Sequence, residues 1–231
     1  MNNDFEIRNG VLERYRGLAP SVDIPEGVTT IGKLAFFSCR KVWEVKLNDN
    51  IVAIDERAFA NTKIRDMIFP DSISYIGNEI FRACNVDEIT IFGEVFDLYE
   101  IHFMYDYDLI ALNNGLDPDE ICGVSEIAKF TAASEIPMLL FNGDYDNLDM
   151  PEDLRCEIIA RVLRHKPVHK NFLNMVKEHI TDILRLVIRE PEIIQYLIDN
   201  EVITSNNIDE CISIANESNA CETQAILEKL K

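Results

Sequence analysis

The sequence is poor in positive charge. Lysine and arginine together number 22 against 41 aspartates and glutamates, a formal net charge of −19. The deficit is uneven. Residues 1–97 carry 16 acids and 11 bases, residues 98–153 carry 13 acids and only Lys129, and residues 154–231 carry 12 acids and 10 bases. No basic stripe exists, so the footprint of a nucleic-acid binder is missing, as is the patch that an anionic membrane would attract. Long apolar runs are missing too: nothing approaches the ~18 uninterrupted apolar residues of a membrane span. Met1-Asn2-Asn3-Asp4 lacks the cationic and then apolar opening of a secretory signal. If that is the native start, a cytoplasmic location is expected, with the cell surface reserved for a protein whose true N-terminus lies upstream.

Signatures of chemistry are equally sparse. Cys122, Cys156, Cys211 and Cys221 show no C-x-x-C spacing, so neither a redox motif nor a zinc site is indicated. No G-x-S-x-G elbow appears, and no histidine accompanies a recognisable nucleophile. His165 and His169 stand four apart, as helical metal ligands would, but Pro167 between them breaks the helix. His102 and His179 stand alone. Asp117/Asp119/Glu120 and Asp144/Asp146/Asp149 are acidic clusters without the D-x-D-x-D-G spacing and closing glutamate of a calcium loop. The expectation is a protein without catalytic residues, cofactor or metal. A calcium-dependent or catalytic use of the acidic middle segment is the rival reading.

What is present is a repeat. Val22-Asp23-Ile24-Pro25 opens one unit, which runs through Gly27-Val28-Thr29-Thr30-Ile31-Gly32 to Ala35-Phe36 and Cys39. A second has Val45-Lys46-Leu47, Ile51, Ile54, Ala58-Phe59 and Thr62; a third has Met67-Ile68-Phe69-Pro70, Ile73, Ile76-Gly77, Ile80-Phe81 and Cys84. A fourth starts at Ile89-Thr90-Ile91 and fades. Ile31, Ile54, Ile76 and Phe36, Phe59, Phe81 advance by 23 and then 22 residues, a period that marks a solenoid. Val22/Ile24, Val45/Leu47, Met67/Phe69 and Ile89/Ile91 alternate with outward residues, which predicts one short strand per unit with a buried side. One unit cannot close a core alone. Stacked units can, at about 1.5–3 kcal/mol for each large side chain fully buried. The strands are expected to form a parallel ladder at ~4.8 Å spacing.

Val22 to Cys39 and Met67 to Cys84 resemble the BspA-like bacterial leucine-rich repeats, whose units read I-x-I-P-x-S/G-V-T-x-I-G-x-x-A-F-x-x-C. The middle unit departs, with Asn48 for proline, Asp55 for glycine and Thr62 for cysteine. The resemblance covers about a third of the chain. It implies a curved solenoid used for protein contact, without catalytic residues, and it names no ligand. Cys39 and Cys84 occupy one slot two units apart, at least ~9–10 Å from each other. That is beyond the ~7 Å reach of a disulfide, so they read as buried apolar side chains. Gly27 to Lys33 mimics the opening of a phosphate-binding loop, but Leu34 replaces the required serine or threonine and Ile31 belongs to the repeat core.

Around this framework the chain divides into four. Residues 1–20 read as a capping hairpin, since Asn9-Gly10 sits between Phe5/Ile7 and Val11/Leu12/Tyr15. Residues 21–97 are the repeats, and 98–134 an acidic connecting segment with a short helix fitting around 124–132. Residues 135–231 show helical stripes: Leu154/Ile158/Ile159/Val162/Leu163, Phe172/Val176/Ile180, Ile183/Leu184/Val187, Ile194/Leu197/Ile198, Ile208/Ile212/Ala215 and Ile226/Leu227/Leu230. Asp149 with Glu152 and Asn207 with Glu210 are spaced as capping boxes, and Pro191 can open a helix. The last hairpins resemble degenerate ankyrin repeats without their T-P-L-H-x-A signature. The fold class is therefore α+β: a short leucine-rich-repeat solenoid with a parallel strand ladder, followed by α-helical hairpins.

The outward strand residues form columns. Asp23, Lys46, Ile68 and Thr90 make one; Glu44, Asp66 and Glu88 make another, three carboxylates on adjacent strands. Like charges so placed repel. They are either a solvated face that resists edge aggregation or a stripe that accepts a basic partner. The function expected is a non-enzymatic protein-interaction module, with Glu44, Lys46, Asp66, Ile68, Glu88 and Thr90 as candidate contacts. Its partner is a protein, a basic one fitting best, with neither nucleic acid nor membrane bound. Self-association through an open coil edge is the purely structural alternative.

Overall fold

Asn9 and Gly10 both take positive φ, 51° and 80°, as the two central residues of a type I′ turn require. They fold β1 (Phe5–Arg8) back onto β2 (Val11–Tyr15) as an antiparallel hairpin. The computed structural model describes residues 4–98, 101, 133–148, 150–167 and 169–230. The helix expected around 124–132 lies outside them, as do Lys129, Cys122, His102, Asp149 and the Asp117/Asp119/Glu120 cluster. The chain divides into two compact units, Met1–Asn142 and Gly143–Lys231.

The first unit is a β-solenoid of about four turns with two strand ladders. One ladder runs β2, β4 (Thr30–Ile31), β6 (Ala53–Ile54) and β8 (Tyr75–Ile76), parallel throughout beyond the hairpin. It aligns Leu12, Ile31, Ile54 and Ile76, none more than 1% exposed. These two-residue strands are additional to the one strand per unit read from alternation, being too short to show a period. On the other side, β3 (Ser21–Asp23) pairs with β5 (Glu44–Lys46), and β7 (Asp66–Ile68) with β9 (Glu88–Ile91), while β10 (Glu94–Asp97) folds back antiparallel on β9. The continuous ladder expected here is interrupted: no strand pairing joins β5 to β7.

Between the ladders the aromatic side chains stack. Tyr15, Phe36, Phe59 and Phe81 follow one another at ring-centroid distances of 5.1, 5.5 and 5.7 Å, and the three phenylalanines are fully buried. Phe5 lies on Tyr15 at 5.2 Å, so the hairpin extends the column and covers its first ring. Cys39, Thr62 and Cys84 form a parallel column in which Thr62 Oγ1 lies 3.3 Å from Cys84 Sγ. Cys84 is buried and Cys39 half-buried, a small departure from the expectation that both are enclosed.

At the far end of the ladder a side chain takes the place of a strand. Residues 133–137 are helical and run into a π-helical turn, Met138–Asn142. The Asn142 amide accepts from Ile76 N–H at 2.8 Å and donates to Ile76 C=O at 2.7 Å. It thereby satisfies both backbone groups that the next strand would have bonded. Ser134 Oγ accepts from Phe81 N–H at 3.3 Å, and Phe141 packs on Phe69 and Phe92.

The second unit is built of paired helices: α1 (Glu152–Leu163), α2 (Lys170–Glu178), α3 (Ile180–Val187), α4 (Pro191–Asp199), α5 (Ile208–Glu217) and α6 (Cys221–Leu227). α1, α3 and α5 open at equal steps of 28 residues and pack in series, with α4 on α6 alongside. The stripes are buried largely as read, and Pro191 occupies the first turn of α4. α5 instead buries Ile208, Cys211, Ile214 and Ala215, leaving Ile212 half-buried, and Leu230 is exposed. The Asn207/Glu210 capping box does not form, and Asp149 of the other lies outside the described residues. α1 starts at Glu152 after Pro151. The Asn207 amide turns backward, donating to Val202 C=O and accepting from Thr204 N–H, while Glu210 accepts from Thr181 Oγ1 on α3. A tight loop needing its own partners has outcompeted the helix end. In the same unit the Tyr145 ring stacks on the His179 ring at 3.7 Å, and the Arg155 guanidinium lies 4.8 Å from its centroid.

Two predictions follow from the solenoid. Phe59→Ala should cost about 3–5 kcal/mol of stability, the range for emptying a buried aromatic site. A urea-unfolding loss below about 1 kcal/mol would show that this ring is not held between two others. Ion pairs also tie successive coils, Lys33 to Glu56 at 2.6 Å and Arg57 to Glu79 at 2.5 Å. The Lys33 bond holds Glu56 below its ordinary value of 4.5; burial pushes Glu79 up, but bonds from Arg57 and Arg82 outweigh it and its value is also lowered. Their contribution is complete above about pH 4.5 and disappears as pH falls through the lowered values. Urea midpoints should therefore hold level down to about pH 5 and drop below it. Glu56→Gln with Glu79→Gln should flatten that drop.

Candidate functional site

The outward columns exist, with a break in them. Asp23 lies opposite Lys46 in the β3–β5 pair, and Ile68 opposite Thr90 in the β7–β9 pair. Asp66 lies directly opposite Glu88, while Glu44 lies opposite Ser21 and accepts a hydrogen bond from its hydroxyl. The six candidates thus fall into two groups: Glu44 and Lys46 on β5; Asp66, Ile68, Glu88 and Thr90 on β7 and β9.

The break has a local cause. Every polar side chain that β5 and its following turn use on this face reaches back to the first coil. Glu44 takes Ser21, and Lys46 Nζ lies 4.0 Å from Asp23 and 3.7 Å from Glu44. Asn48 Nδ2 donates to Pro25 C=O at 2.8 Å, and Asn50 Nδ2 to Glu26 at 3.0 Å. Toward the third coil the backbone bond is missing as well. Ile24 N–H donates to Lys46 C=O and Phe69 N–H to Thr90 C=O, each at 2.9 Å, but Leu47 makes no such bond to Ile68. Asn48 stands where the neighbouring units have proline, so the departure noted in the sequence is part of this asymmetry.

A groove of about 350 Å³ lies over the break. Trp43, Glu44, Lys46 and Asp49 border it on one side, and Asp66, Ile68 and Pro70 on the other. Trp43 is 52% exposed and Ile68 72%, so a large aromatic and a β-branched side chain face solvent together. Trp43, Asp49 and Pro70 were missed in the sequence. Trp43 carried a signal: it is the one tryptophan of the chain, and it stands where the other coils have Pro20, Arg65 and Asp87.

Other candidate chemistry is not assembled. Among the described residues, no group of three or more metal-ligating side chains converges. His165 and His169 lie on either side of Pro167, outside the helices. Ile31 of the pseudo-phosphate loop is a buried ladder residue, Gly32 N–H donates to Leu12 C=O, and Lys33 is paired with Glu56. Cys39, Cys84, Cys156, Cys211 and Cys221 are free thiols, and burial pushes Cys39, Cys84 and Cys156 up and Cys211 to about 11.

Residues 7–110 match the model of the BspA type leucine rich repeat region in six copies. That stretch is a BspA-type leucine-rich-repeat region. The six copies outnumber the three full units and the start of a fourth legible from the 22–23-residue step, and they take in the hairpin. Solved structures similar to the chain include a leucine rich cell surface protein of Faecalibacterium prausnitzii, 29% identical over 33% of this chain and 23% of that one, with a TM-score of 0.27. The pneumococcal vaccine antigen PcpA is 21% identical over 33% and 22%, with a TM-score of 0.28. A leucine-rich repeat protein of Bacteroides capillosus is 25% identical over 37% and 91%, also at 0.28. The chain thus spans about a quarter of the length of the first two. No curated protein matches it. Among the described residues no helix is long and apolar enough to cross a membrane.

The exposure of Ile68 has a measurable corollary. Ile68→Ser should leave stability within about 0.5 kcal/mol, whereas Val45→Ala, on the buried side of β5 at 4% exposure, should cost about 1–3 kcal/mol. Equal losses in thermal or urea unfolding would mean that Ile68 is packed and no open groove exists.

Proposed function

We propose that this protein is a non-enzymatic protein-interaction module. It presents the β5–β7–β9 face of its solenoid to a basic segment of a protein partner. One observation carries the reading: an open groove holding exposed Trp43 and Ile68, bordered by carboxylates, interrupts an otherwise regular strand face. Covering Ile68 alone is worth about 1.5–3 kcal/mol. Because the strands and the ring column fix the surface beforehand, binding costs little ordering entropy. The carboxylates of Asp66 and Glu88, held side by side, gain from a cation that relieves their repulsion. In this reading residues 1–20 act as a cap, 21–97 as the binding solenoid and 98–134 as an acidic connection. Residues 135–231 act as the helical region, 135–142 closing the ladder and the rest forming ankyrin-like hairpins.

The test is affinity capture from the source cell with the full chain and with Glu44→Lys, Asp66→Lys, Glu88→Lys combined. The reading expects the variant to fold with an unchanged urea midpoint and to lose the captured partner. The same partner retained in full by the folded variant removes this face as the contact surface.

A further inference from the structure

Resting on the interaction reading above, we infer that the groove between β5 and β7 takes an arginine side chain of an extended basic peptide, its guanidinium stacked on Trp43. The argument starts from the mismatch between the floor and the rim. An exposed indole beside Ile68 and Pro70 invites apolar contact, yet Glu44, Asp49 and Asp66 border the same space. A neutral apolar side chain seated there would cover carboxylates and take water from them without return. The one cation of the rim does not resolve this. Lys46 already lies 3.7 Å from Glu44 and 4.0 Å from Asp23, whereas Asp49 and Asp66 enter no ion pair among the described residues. Asp49 and Asp66 therefore lack a cationic partner, and the groove offers a flat π-face beside them.

Guanidinium meets both demands. It is planar, weakly hydrated and permanently charged, and it stacks on indole while its edge N–H groups donate to carboxylates. Its aliphatic stem needs an apolar wall, which Ile68 and Pro70 provide. An ammonium supplies the charge but no plane, so lysine fits less well. An anionic ligand is opposed by three acids.

The single tryptophan makes the groove its own reporter. The full chain is titrated at low ionic strength with end-capped tetra-arginine, its neutral citrulline counterpart, and tetra-lysine, following Trp43 emission. Expected are a saturable change with arginine, none with citrulline, and binding at least ~3-fold weaker with lysine. Glu44→Gln with Asp66→Asn should weaken arginine binding about tenfold, a loss of about 1.4 kcal/mol. Asp146→Asn with Glu222→Gln, the same change of charge on the other unit, should leave it within about twofold. Calorimetry on Trp43→Leu, which keeps an apolar side chain, should show about fivefold weaker binding. The inference is overturned by citrulline or lysine binding as tightly as arginine, by equal losses in the two charge-neutralised pairs, or by Trp43→Leu binding like the parent. If arginine fails while the triple charge reversal still abolishes partner capture, the interaction reading stands and only the arginine assignment falls.

Discussion

Each ring in the column from Tyr15 to Phe81 is kept from water mainly by the ring before it and the ring after it. A flat side chain a little over 5 Å from its neighbours leaves no room for solvent between coils, and the flanking Leu12–Ile31–Ile54–Ile76 row seals one side. No coil has a core of its own. Stability in such an array is carried by contacts between neighbours, so removing one ring weakens two interfaces at once. The ends are where this logic fails, and both carry a special device. Phe5 covers the first ring, and the turn ending at Asn142 covers the last coil.

The rigidity of that column is what makes the outer face useful. Strands anchored by buried Val45 and Met67 hold Glu44, Lys46, Asp66 and Ile68 at set positions. On this face the second coil spends its polar side chains on the first, which leaves the second and third unstitched there. The groove is thus a product of repeat irregularity. A middle unit with proline at position 48 and no backward-reaching amide would resemble its neighbours more closely there.

Much of this is legible in the sequence. The residues that repeat with large apolar side chains declare the column, and Asn9-Gly10 declares the hairpin, because each depends on local chemistry or on a fixed step. The second ladder was hidden, since two-residue strands show no alternation. The interruption at β5 was hidden because it depends on where Asn48 and Asn50 send their amides, a choice settled by the neighbouring coil. Trp43 is hidden for a related reason: a repeat is legible in the residues that recur, and Trp43 does not recur. In the helical unit the apolar stripes were readable, but Asn207 and Glu210 found partners outside the spacing that suggested a cap.

Asn142 ends the array in an unusual way. A carboxamide that bonds both backbone groups of Ile76 depends on the main chain of the last rung and hardly at all on its side chains. Any rung of the same backbone geometry would offer this carboxamide the same two bonds. Units of 22 or 23 residues can therefore be gained or lost upstream by duplication and deletion without a new terminus having to evolve. The length of such a protein is free to drift, while its stopper stays the same.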